Sequence, residues 1–594
     1  MTHGHTHLSR EEIAKIEIGH TETTPAICRF LTVLFVIVLV SIPLLQNVVE
    51  FREIARERAR SREDGEKPAR AWPQCYDIVR LVPTPTELLG AARAGSLRGV
   101  FGRLKEINNR ILRDIQTYEQ DLKDCSNLVQ WLIPRMQVAT TGWLRGGNED
   151  AYCGREGWLF YRPDVDYLVG PGFLDPKVLA RRAASGNEWK APPQPDPVKA
   201  IVDFRDQLAK RDIQLVVVPT PLKPMIYPER YTRRRVDCRR PLQNASYEEF
   251  IASLRAADIA VFDPAPLLAE AKAQAAAPLY LETDTHWTPQ GMQLAAEGLV
   301  RFVRNSMPLP DAPAPPYATT RAAATNLGDI AVMLRLPSSQ TFYRLQSVAL
   351  SQVTDRTRFW RPDSAADVLL LGDSFANIFS LERMGWGEAA GLPEHLSLAL
   401  GRPLDALLQN DKGSWKTRGM LATEMKRGND RLAGKRLVIW QFAARELAFG
   451  DWKLIPLELG EKQPTSFFAA AVGESVLVRG VVKAVAPAPR PGSVPYKDHI
   501  VMVHLTDLDG PGDARGREAV VLMWSMRDNV WTRAARYRPG EQVRLRIRPW
   551  SAVSDKLDAI NRAELDDSDL LRQEPNWGEE AEGKGREGNV KRGA

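Results

Sequence analysis

The chain has 594 residues, of which 44% are hydrophobic and 26% are charged, and its formal net charge is +6 at pH 7. At roughly 150 residues per domain this length indicates several folded units, and the apolar content excludes a disordered or collagen-like chain. Five cysteines are too few for a scaffold held mainly by disulfides. The mild basic excess comes without a zinc-ligand spacing, a phosphate loop or a nucleic-acid motif, so no nucleic-acid partner is expected.

An uncharged apolar run, Phe30–Val49, lies near the N-terminus. It is close to the ~20 residues that a helix needs to cross a bilayer, and no small-residue cleavage site of a signal peptide follows it. The run predicts a transmembrane anchor at residues 30–49, after a cytoplasmic tail at residues 1–29. The arginines that follow the run, counted alone, favour a cytoplasmic location for the rest of the chain.

The cysteines bear on the same question. Four of them lie beyond the apolar run, namely Cys75, Cys125, Cys153 and Cys238. An even number is consistent with two disulfides in an oxidising compartment, and four buried thiols are the alternative. The two kinds of evidence leave the topology open at this point.

Residues 50–140 are predicted to form a helical stalk. Within it, apolar residues recur at three- and four-residue steps from Leu97 to Leu132, which is the pattern of a long amphipathic helix. Such a stripe either pairs with a second copy or packs on a globular domain of the same chain.

Between residues 141 and 460, short apolar strands alternate with helices. The predicted strands are Gln214–Pro219, Ile259–Phe262, Val368–Leu371 and Leu437–Phe442. The predicted helices include Pro197–Lys210, Tyr247–Ala256, Pro289–Arg304 and Arg418–Arg427. This alternation predicts an α/β domain with a mostly parallel sheet.

The pattern changes after Pro464. Alternating apolar residues predict strands at Ser475–Val482, His499–Leu505, Ala519–Met526 and Gln542–Arg548. Residues 465–555 are therefore expected to form a small β-barrel or β-sandwich of a carbohydrate-binding kind. Its tryptophans either stack on sugar rings or belong to the core; they are Trp524, Trp531 and Trp550. The acidic and then Gly-rich residues 556–594 are expected to be a disordered tail.

A candidate nucleophile follows the strand Val368–Leu371, which leads directly into Gly372, Asp373 and Ser374. A serine at the C-terminal end of a buried parallel strand lies at the sheet edge where α/β active sites form. Gly372 permits a tight turn, and the amides of the following helix are suited to stabilise an oxyanion. The tripeptide alone is a weak signal, because it recurs by chance in chains of this size.

A serine nucleophile needs a base, and His286 is the best candidate. Four of the eight histidines lie in the first twenty residues, His499 and His504 lie in the β-rich region, and His395 has no evident carboxylate partner. Asp284 and His286 are alternate residues of an extended segment, so both side chains face the same way. Asp284 can then orient the imidazole, whereas one histidine without further ligands argues against a metal site.

Five segments in order carry a resemblance to a known family. They are GREGWLFY (154–161), VVVPTPLKPMIYPER (216–230), DTHW (284–287), LLLGDSF (369–375) and LVIWQFAARELAF (437–449). Together they resemble the bacterial alginate O-acetyltransferase family of AlgJ/AlgX-like, SGNH-hydrolase-like proteins. The resemblance implies an SGNH-hydrolase-like domain at residues 141–460, with Ser374 as nucleophile, His286 as base and Asp284 as the carboxylate that orients it.

The resemblance also implies candidates for the oxyanion hole or for substrate contacts, namely Gly372, Asn410, Gly413 and Arg445. Asn410 and Gly413 lie in a later strand-end loop, where the alternative for the asparagine is an ordinary turn residue. The alternative for Arg445 is a structural ion pair. Residues 441–445 read Gln-Phe-Ala-Ala-Arg, where the family usually has Glu-Phe-Pro-Glu-Arg, so the loop geometry there is expected to differ.

The resemblance implies a periplasmic enzyme, held by a single pass in the inner membrane, that O-acetylates an exported alginate-like polysaccharide through an acetyl-serine. No bound cofactor is expected, and the acetyl donor would derive from acetyl-CoA through a membrane-bound O-acyltransferase partner. Two alternatives remain open. One is a carbohydrate O-acetyl esterase with the same triad, and the other is a non-catalytic polysaccharide-binding scaffold of an export or modification complex.

Overall fold

The computed structural model describes residues 24–64, 82–83, 96–124, 127–186, 191–234, 240–307, 309–311, 313–461, 467–489, 491, 494, 496–565 and 567–581. The chain divides into two compact units, one formed by residues 1–135 and 584–594 and the other by residues 136–583. The helices of the N-terminal part are α1 (Pro25–Asp64), α2 (Leu97–Asp124) and α3 (Asn127–Trp143).

These helices include residues of the predicted anchor and of the predicted helical stalk. The apolar run at residues 30–49 lies inside α1, which continues through charged residues as far as Asp64. Across the described ranges, no helix combines the length and the apolar character that a membrane span requires, so the predicted transmembrane anchor is not supported. The stretch predicted as a long amphipathic helix from Leu97 to Leu132 is helical in α2 and α3, residues 125 and 126 lie outside the described residues, and Pro134 lies inside α3.

The α/β region begins at residue 151. Its strands are β1 (Ala151–Cys153), β2 (Leu159–Tyr161), β3 (Gln214–Thr220), β4 (Ala260–Val261), β5 (Tyr317–Asn326), β6 (Gln346–Asp355), β7 (Arg358–Phe359), β8 (Val368–Gly372), β9 (Asp405–Leu408) and β10 (Leu437–Ala443). Its helices are α4 (Arg162–Val169), α5 (Pro176–Ala183), α6 (Pro197–Ala209), α7 (Lys223–Ile226), α8 (Pro228–Tyr231), α9 (Tyr247–Ala256), α10 (Ala265–Lys272), α11 (Pro289–Ser306), α12 (Asp329–Met333), α13 (Ser374–Asn377), α14 (Leu392–Leu400), α15 (Lys416–Lys426) and α16 (Glu446–Phe449).

The main sheet of this region has the strand order β4-β3-β10-β8-β9, and each of these pairings is parallel. β8 and β10 carry apolar runs and are buried along their whole length, which is typical of strands covered on both faces. Leu370 on β8 pairs with Ile439 on β10, and both are fully buried in the main core. The α/β prediction is confirmed, and the four predicted strands match β3, β4, β8 and β10 within two residues.

The sequence reasoning missed β9 and the antiparallel sheet formed by β5, β6 and β7. β9 is only four residues long, which is too short for a clear alternation. β5 is rich in Thr and Ala and is largely exposed, so it lacks the apolar stripe that identifies a half-buried strand.

The C-terminal region forms a closed barrel. Its elements are β11 (Val476–Val485), β12 (His499–Asp509), β13 (Ala519–Arg527), β14 (Val530–Trp531), β15 (Gln542–Pro549), α17 (Ser554–Leu557), β16 (Arg562–Ala563), α18 (Ser568–Leu571) and β17 (Asn576–Glu580). The ring runs β11-β12-β13-β17-β15 and returns to β11, and its β13–β17 pair is parallel while the others are antiparallel. This is the strand order of an oligonucleotide/oligosaccharide-binding (OB) type barrel, so the barrel alternative of the prediction is confirmed.

The prediction of a disordered tail at residues 556–594 is wrong for residues 556–565 and 567–581, which the structure describes as part of the barrel region. β17 supplies the fifth strand of the ring, and its Trp577 is buried. The acidic composition was misleading because Glu579 lies beside Arg548 at 2.8 Å on the neighbouring strand. The barrel domain therefore extends well beyond residue 555.

The barrel tryptophans pack within the protein, as one of the two sequence interpretations has it. The rings of Trp524 and Trp550 lie 5.5 and 6.0 Å from the ring of the buried Trp577. The Trp531 indole donates a hydrogen bond to the Pro489 carbonyl at 2.7 Å. These contacts assign the three side chains to packing.

The cysteines that bear on compartment lie mostly outside the described residues. Cys75, Cys125 and Cys238 are not described. The Cys153 sulfur lies 3.4 Å from the Tyr343 hydroxyl. A disulfide pairing stays untested.

Replacing a buried residue of the main sheet should destabilise the chain strongly. Leu370→Ala opens a cavity in β8, and we expect a loss of about 2–5 kcal/mol in the free energy of unfolding. Leu345 is 67% exposed, so Leu345→Ala is the matched control and should change stability by less than about 0.5 kcal/mol. Calorimetric melting of both full-length variants tests this expectation, and equal melting temperatures would contradict the burial of β8.

Candidate active site

Ser374 lies at the turn between β8 and α13, where the sequence places it. The carboxylate of Asp373 caps α13 by accepting a hydrogen bond from the Phe375 amide at 2.9 Å. Ser374 is 1% exposed, and its hydroxyl makes no hydrogen bond with any described residue. Most buried hydroxyls have a hydrogen-bond partner, so this unpaired one is a candidate for a reactive group.

Glycine is required immediately before this turn. A Cβ at Gly372 would lie 2.7 Å from the Ala376 Cβ and 2.9 Å from a Leu408 methyl carbon. The absence of a side chain therefore lets α13 and the end of β9 approach the end of β8. Gly372 has this structural role at the edge of the predicted site.

The turn is held by the end of β10. Gln441 accepts a hydrogen bond from the Asp373 amide at 2.9 Å, and its side-chain nitrogen donates to the Asp373 carboxylate at 2.9 Å and to the Thr220 hydroxyl at 2.8 Å. The Ala443 amide donates to the other Asp373 oxygen at 2.6 Å. Both oxygens and the amide of Asp373 are therefore tied to the end of β10.

Asp284 and His286 form the predicted pair. The Asp284 Oδ1 lies 2.7 Å from the His286 Nδ1 and also accepts the His286 backbone amide at 3.2 Å. The Asp284 Oδ2 accepts the Trp386 indole at 2.8 Å and the Asp329 amide at 3.0 Å. The carboxylate is thus fixed on both oxygens, and the His286 Nε2 is buried without a partner in the described part of the chain.

The structure brings this pair to the serine turn. The His286 ring lies 4.8 Å from the ring of Phe375, the residue that follows Ser374. The Trp287 indole donates to the Phe375 carbonyl at 3.0 Å. These contacts place the Asp284–His286 pair beside the turn that holds Ser374, and a triad of the three residues stays a prediction.

A second carboxylate, Asp329, adjoins the pair and was not predicted. Its Oδ1 accepts the Thr285 amide at 2.7 Å, whereas its Oδ2 is buried, lacks a hydrogen bond to any described residue and lies 3.8 Å from the His286 Nδ1. It begins α12, 45 residues after Asp284, and no motif in the sequence marks it. Only the fold brings the two carboxylates together.

Burial and these charges set the protonation of the site. Burial alone would lower the pKa of His286, but the hydrogen bond and charge of Asp284, followed by the charge of Asp329, outweigh it and raise that pKa. Burial opposes ionisation of Asp284, yet contacts with His286 and Trp386 lower its pKa to about 2. Burial, reinforced by the charge of Asp284, raises the pKa of Asp329 to about 7.

Two cations, the buried Lys223 and the partly buried Arg445, complete the electrostatics. The Lys223 ammonium donates to the carbonyls of Leu159 and Glu282 at 2.6 and 3.0 Å, and burial lowers its pKa to about 8 against the attraction of nearby carboxylates. Arg445 pairs with Asp164 at 3.0 Å. Burial opposes the charge on Arg445, but Asp164 outweighs it and raises its pKa.

The observed contact of Arg445 is therefore the ion pair that the sequence left as the alternative. Its guanidinium carbon also lies 6.0 Å from the centre of the Phe375 ring and 5.3 Å from that of Tyr161. Arg445 is thus adjacent to Phe375, the residue after Ser374. A role toward substrate stays a prediction.

Asn410 lies in the loop after β9 and is 4% exposed. Its side-chain oxygen accepts a hydrogen bond from Asn377 at 2.7 Å, and its amide donates to the Asn561 side chain at 2.9 Å. A role of its side-chain NH₂ as an oxyanion donor stays a prediction. Gly413 packs on the turn, because a Cβ there would lie 3.2 Å from the Asp373 carboxylate.

Asp284, His286 and Asp329 are also close enough to one another for their ligand atoms to share an ion. However, the His286 Nδ1 and the Asp284 Oδ1 are at hydrogen-bond distance, and the other Asp284 oxygen accepts two N–H groups. Among the oxygens of the two carboxylates, only the described Asp329 Oδ2 is left without such a contact. This donor set fits an oriented imidazole better than an ion-binding site.

The chain is similar to known proteins over its α/β region. Residues 152–444 match the family model described as the SGNH hydrolase-like domain of the acetyltransferase AlgX. A protein called probable alginate O-acetylase AlgJ from Pseudomonas aeruginosa is 28% identical over 310 residues, which are 51% of this chain and 71% of that protein. The protein of the same name from Pseudomonas fluorescens is 24% identical over 401 residues, 64% of this chain and 88% of that protein.

Among solved structures, the O-acetyltransferase domain of Pseudomonas putida AlgJ aligns with a TM-score of 0.38 and 23% sequence identity. The alignment covers 51% of this chain and 93% of that domain.

We expect the activity of the site to depend on neutral His286. Because the pKa of His286 is raised, kcat/KM for an activated acetyl ester should fall as the pH falls through a value above the usual 6.5 of histidine. Asp329 has a pKa of about 7 and is therefore partly charged where His286 titrates. Asp329→Asn removes this partial negative charge near the ring, so the acidic limb should move to lower pH. The pH–rate profiles of the two proteins measure this shift.

The exposed Asp311 provides the control, because Asp311→Asn should leave the profile unchanged. An acidic limb that stays in place in Asp329→Asn would show that Asp329 does not act on His286.

Gln441→Leu should misplace the serine turn. The substitution keeps the side chain's size but leaves the Asp373 amide and the Thr220 hydroxyl unpaired. We expect kcat for an acetyl ester to fall about 10- to 100-fold, since small displacements of a nucleophile are costly. Steady-state kinetics test this, with Gln214→Leu, at the exposed first residue of β3, as a control. Unchanged kcat in Gln441→Leu would rule out the proposed support.

Proposed function

We propose that this chain O-acetylates an alginate-like polysaccharide, since residues 152–444 match the model of the SGNH hydrolase-like domain of the acetyltransferase AlgX. The relatives named alginate O-acetylase support the choice of reaction and of polymer class. The observation that carries the proposal is the buried pair of Asp284 and His286, 2.7 Å apart. It leaves a free imidazole nitrogen beside the turn that holds the unpartnered Ser374 hydroxyl.

In the first half-reaction, the Ser374 oxygen attacks the carbonyl carbon of an acetyl ester or thioester. The His286 Nε2 takes the hydroxyl proton, and a bond forms between the serine oxygen and the acetyl carbon. When the bond to the leaving group breaks, His286 returns that proton to the departing oxygen or sulfur. The products are an acetyl-serine and the free carrier alcohol or thiol.

In the second half-reaction, a sugar hydroxyl attacks the acetyl-serine. His286 takes the proton of the sugar hydroxyl and delivers it to the Ser374 oxygen as the ester bond to the enzyme breaks. The acetyl group now sits on the sugar, and the site is restored. Asp284 stays ionised throughout, consistent with its pKa of about 2, and balances the charge of the protonated imidazole.

The oxyanion of each tetrahedral intermediate needs donors. The Ser374 amide and the side-chain NH₂ of Asn410 are the candidates, because the Asn410 oxygen is already engaged by Asn377. Gly413 keeps the loop close to Asp373, since there is little space for a side chain there. Arg445 adds a positive charge next to Phe375.

Transfer is favoured over the esterase alternative by the burial of the site. Ser374 and His286 are each 1% exposed, so bulk water has little access to an acetyl-serine there. A sugar chain bound over the site would then supply the attacking hydroxyl. The acetyl donor in this proposal is derived from acetyl-CoA and delivered by a membrane-bound O-acyltransferase, and the catalytic domain is periplasmic, as in the family that the sequence resembles.

Trapping the acetyl-enzyme tests the proposal. Full-length protein mixed with p-nitrophenyl acetate should gain the mass of one acetyl group on the peptide that contains Ser374, because the hydroxyl is the nucleophile. Ser374→Ala should lose both this adduct and about 10³-fold or more in turnover. Ser364→Ala, at an exposed serine, is the control and should retain both.

The same assay separates the alternatives. With mannuronate oligosaccharides added, transfer gives acetylated sugar, whereas an esterase releases acetate and leaves the oligosaccharide unmodified. A wild-type protein that forms no adduct on Ser374 would contradict the enzyme and support a binding scaffold.

A further inference from the structure

The barrel's usual ligand-binding face is covered in this protein. OB-type barrels bind their ligands on the face centred on the second and third strands, which are β12 and β13 here. The outward side chains of these strands form a buried cluster with residues that follow β15. This cluster includes Ile500, Met502, Val520, Leu522, Ile560, Leu570 and Trp577. This face of the barrel is therefore not accessible to a polymer chain.

The barrel, together with the residues after β15 that cover this face, also contacts the catalytic domain. Leu381 of the α/β region packs against the same cluster, while Tyr496 and Met526 of the barrel region belong to the core of the α/β region. Arg383 pairs with Asp498 at 2.5 Å across the junction. The barrel and the catalytic domain thus share packed surfaces.

The polar contacts at this junction converge on the loop after β9. The Gln409 side chain donates to the carbonyls of Asp558 and Ile560 at 3.0 and 3.1 Å. The Asn410 amide donates to the Asn561 side chain at 2.9 Å, and Asn561 is only 1% exposed. The residues after β15 therefore contact both residues that follow β9.

Two further contacts bracket the loop. Asn377, at the end of the short helix that begins with Ser374, donates to Asn410 at 2.7 Å and lies 3.4 Å from the Ala559 carbonyl. Lys416, just beyond the loop, forms a buried ion pair with Glu564 at 2.6 Å. A continuous set of contacts thus runs from the barrel through Asn410 to the helix of the nucleophile.

We propose that the C-terminal barrel serves as a positioning domain for the acyl-transfer site, and that Asn561 is the residue through which it holds Asn410. The inference rests on the proposed function only for its catalytic consequence. By fixing the Asn410 backbone while Asn377 fixes its side-chain oxygen, the barrel leaves the Asn410 NH₂ in one orientation toward the oxyanion. Preorganised donors stabilise a developing charge without reorganisation during the reaction. Asn561 is a positioning residue, since its contact is with Asn410.

The test compares two buried asparagines of the barrel in the full chain. Asn561→Ala removes the contact to the loop, whereas Asn576→Ala removes hydrogen bonds to Ala470, Phe468 and Val520 within the barrel. Hydrogen exchange of peptides from residues 405–415, read by mass spectrometry, should rise in Asn561→Ala and stay at the wild-type level in Asn576→Ala. This readout requires no activity, and unchanged exchange in Asn561→Ala would overturn the proposal.

Kinetics test the catalytic consequence. With p-nitrophenyl acetate, Asn561→Ala should lower kcat at least about tenfold with little change in KM, and Asn576→Ala should retain kcat. In a double-mutant cycle with Asn410→Ala, the two losses should be far from additive because they act through one donor. Equal losses in Asn561→Ala and Asn576→Ala, or additive losses in the cycle, would contradict positioning through Asn410.

A milder variant guards against unfolding. If Asn561→Ala melts too readily for the assays, Glu564→Gln weakens the Lys416 contact at the same junction and should raise exchange of the loop in the same way. If the wild-type protein forms no acetyl-enzyme, the proposed function is overturned. The hydrogen-exchange result would still test whether the barrel holds the loop after β9.

Discussion

The Asp284 carboxylate is the constraint on which the site depends. One oxygen accepts hydrogen bonds from the ring and from the backbone nitrogen of His286. The other accepts hydrogen bonds from the Trp386 indole and the Asp329 amide. These contacts favour the charged carboxylate in spite of its burial. A carboxylate fixed in this way determines which imidazole nitrogen carries the proton and which one is free to act as a base.

The arrangement lowers the stability of the protein, and this loss is concentrated around Asp284 and His286. The Ser374 hydroxyl, the His286 Nε2, the Asp329 Oδ2 and the Thr285 hydroxyl are buried without hydrogen-bond partners among the described residues. Each unsatisfied buried group costs about 1–3 kcal/mol, so this cluster is a local loss of stability within a well-packed domain. Hydrogen bonds from Gln441 and Ala443 to Asp373 hold the serine turn rigid nearby, and the barrel junction holds the facing loop.

Much of the fold and of the candidate site could be predicted from the sequence, and there are physical reasons why the remaining parts could not. Long apolar strands such as β8 and β10 and the Asp284–His286 spacing are local signals. Asp329 and Asn561 carry no local signal, because each reaches the site only through contacts between distant parts of the chain. The fifth barrel strand was missed because its acidic residues, such as Glu579, pair with arginines on the next strand. The apolar run at residues 30–49 matched a membrane span in composition, but the structure places it within the longer helix α1.

Nitrogen NMR of the histidine rings tests the central claim most directly. In protein labelled with ¹⁵N-histidine, with the His286 signal assigned from its loss in His286→Gln, neutral His286 should carry its proton on Nδ1, hydrogen-bonded to Asp284. Its pKa should lie above the usual 6.5 of histidine. A neutral ring protonated on Nε2, or a pKa below that value, would contradict the assignment of His286 as a base oriented by Asp284.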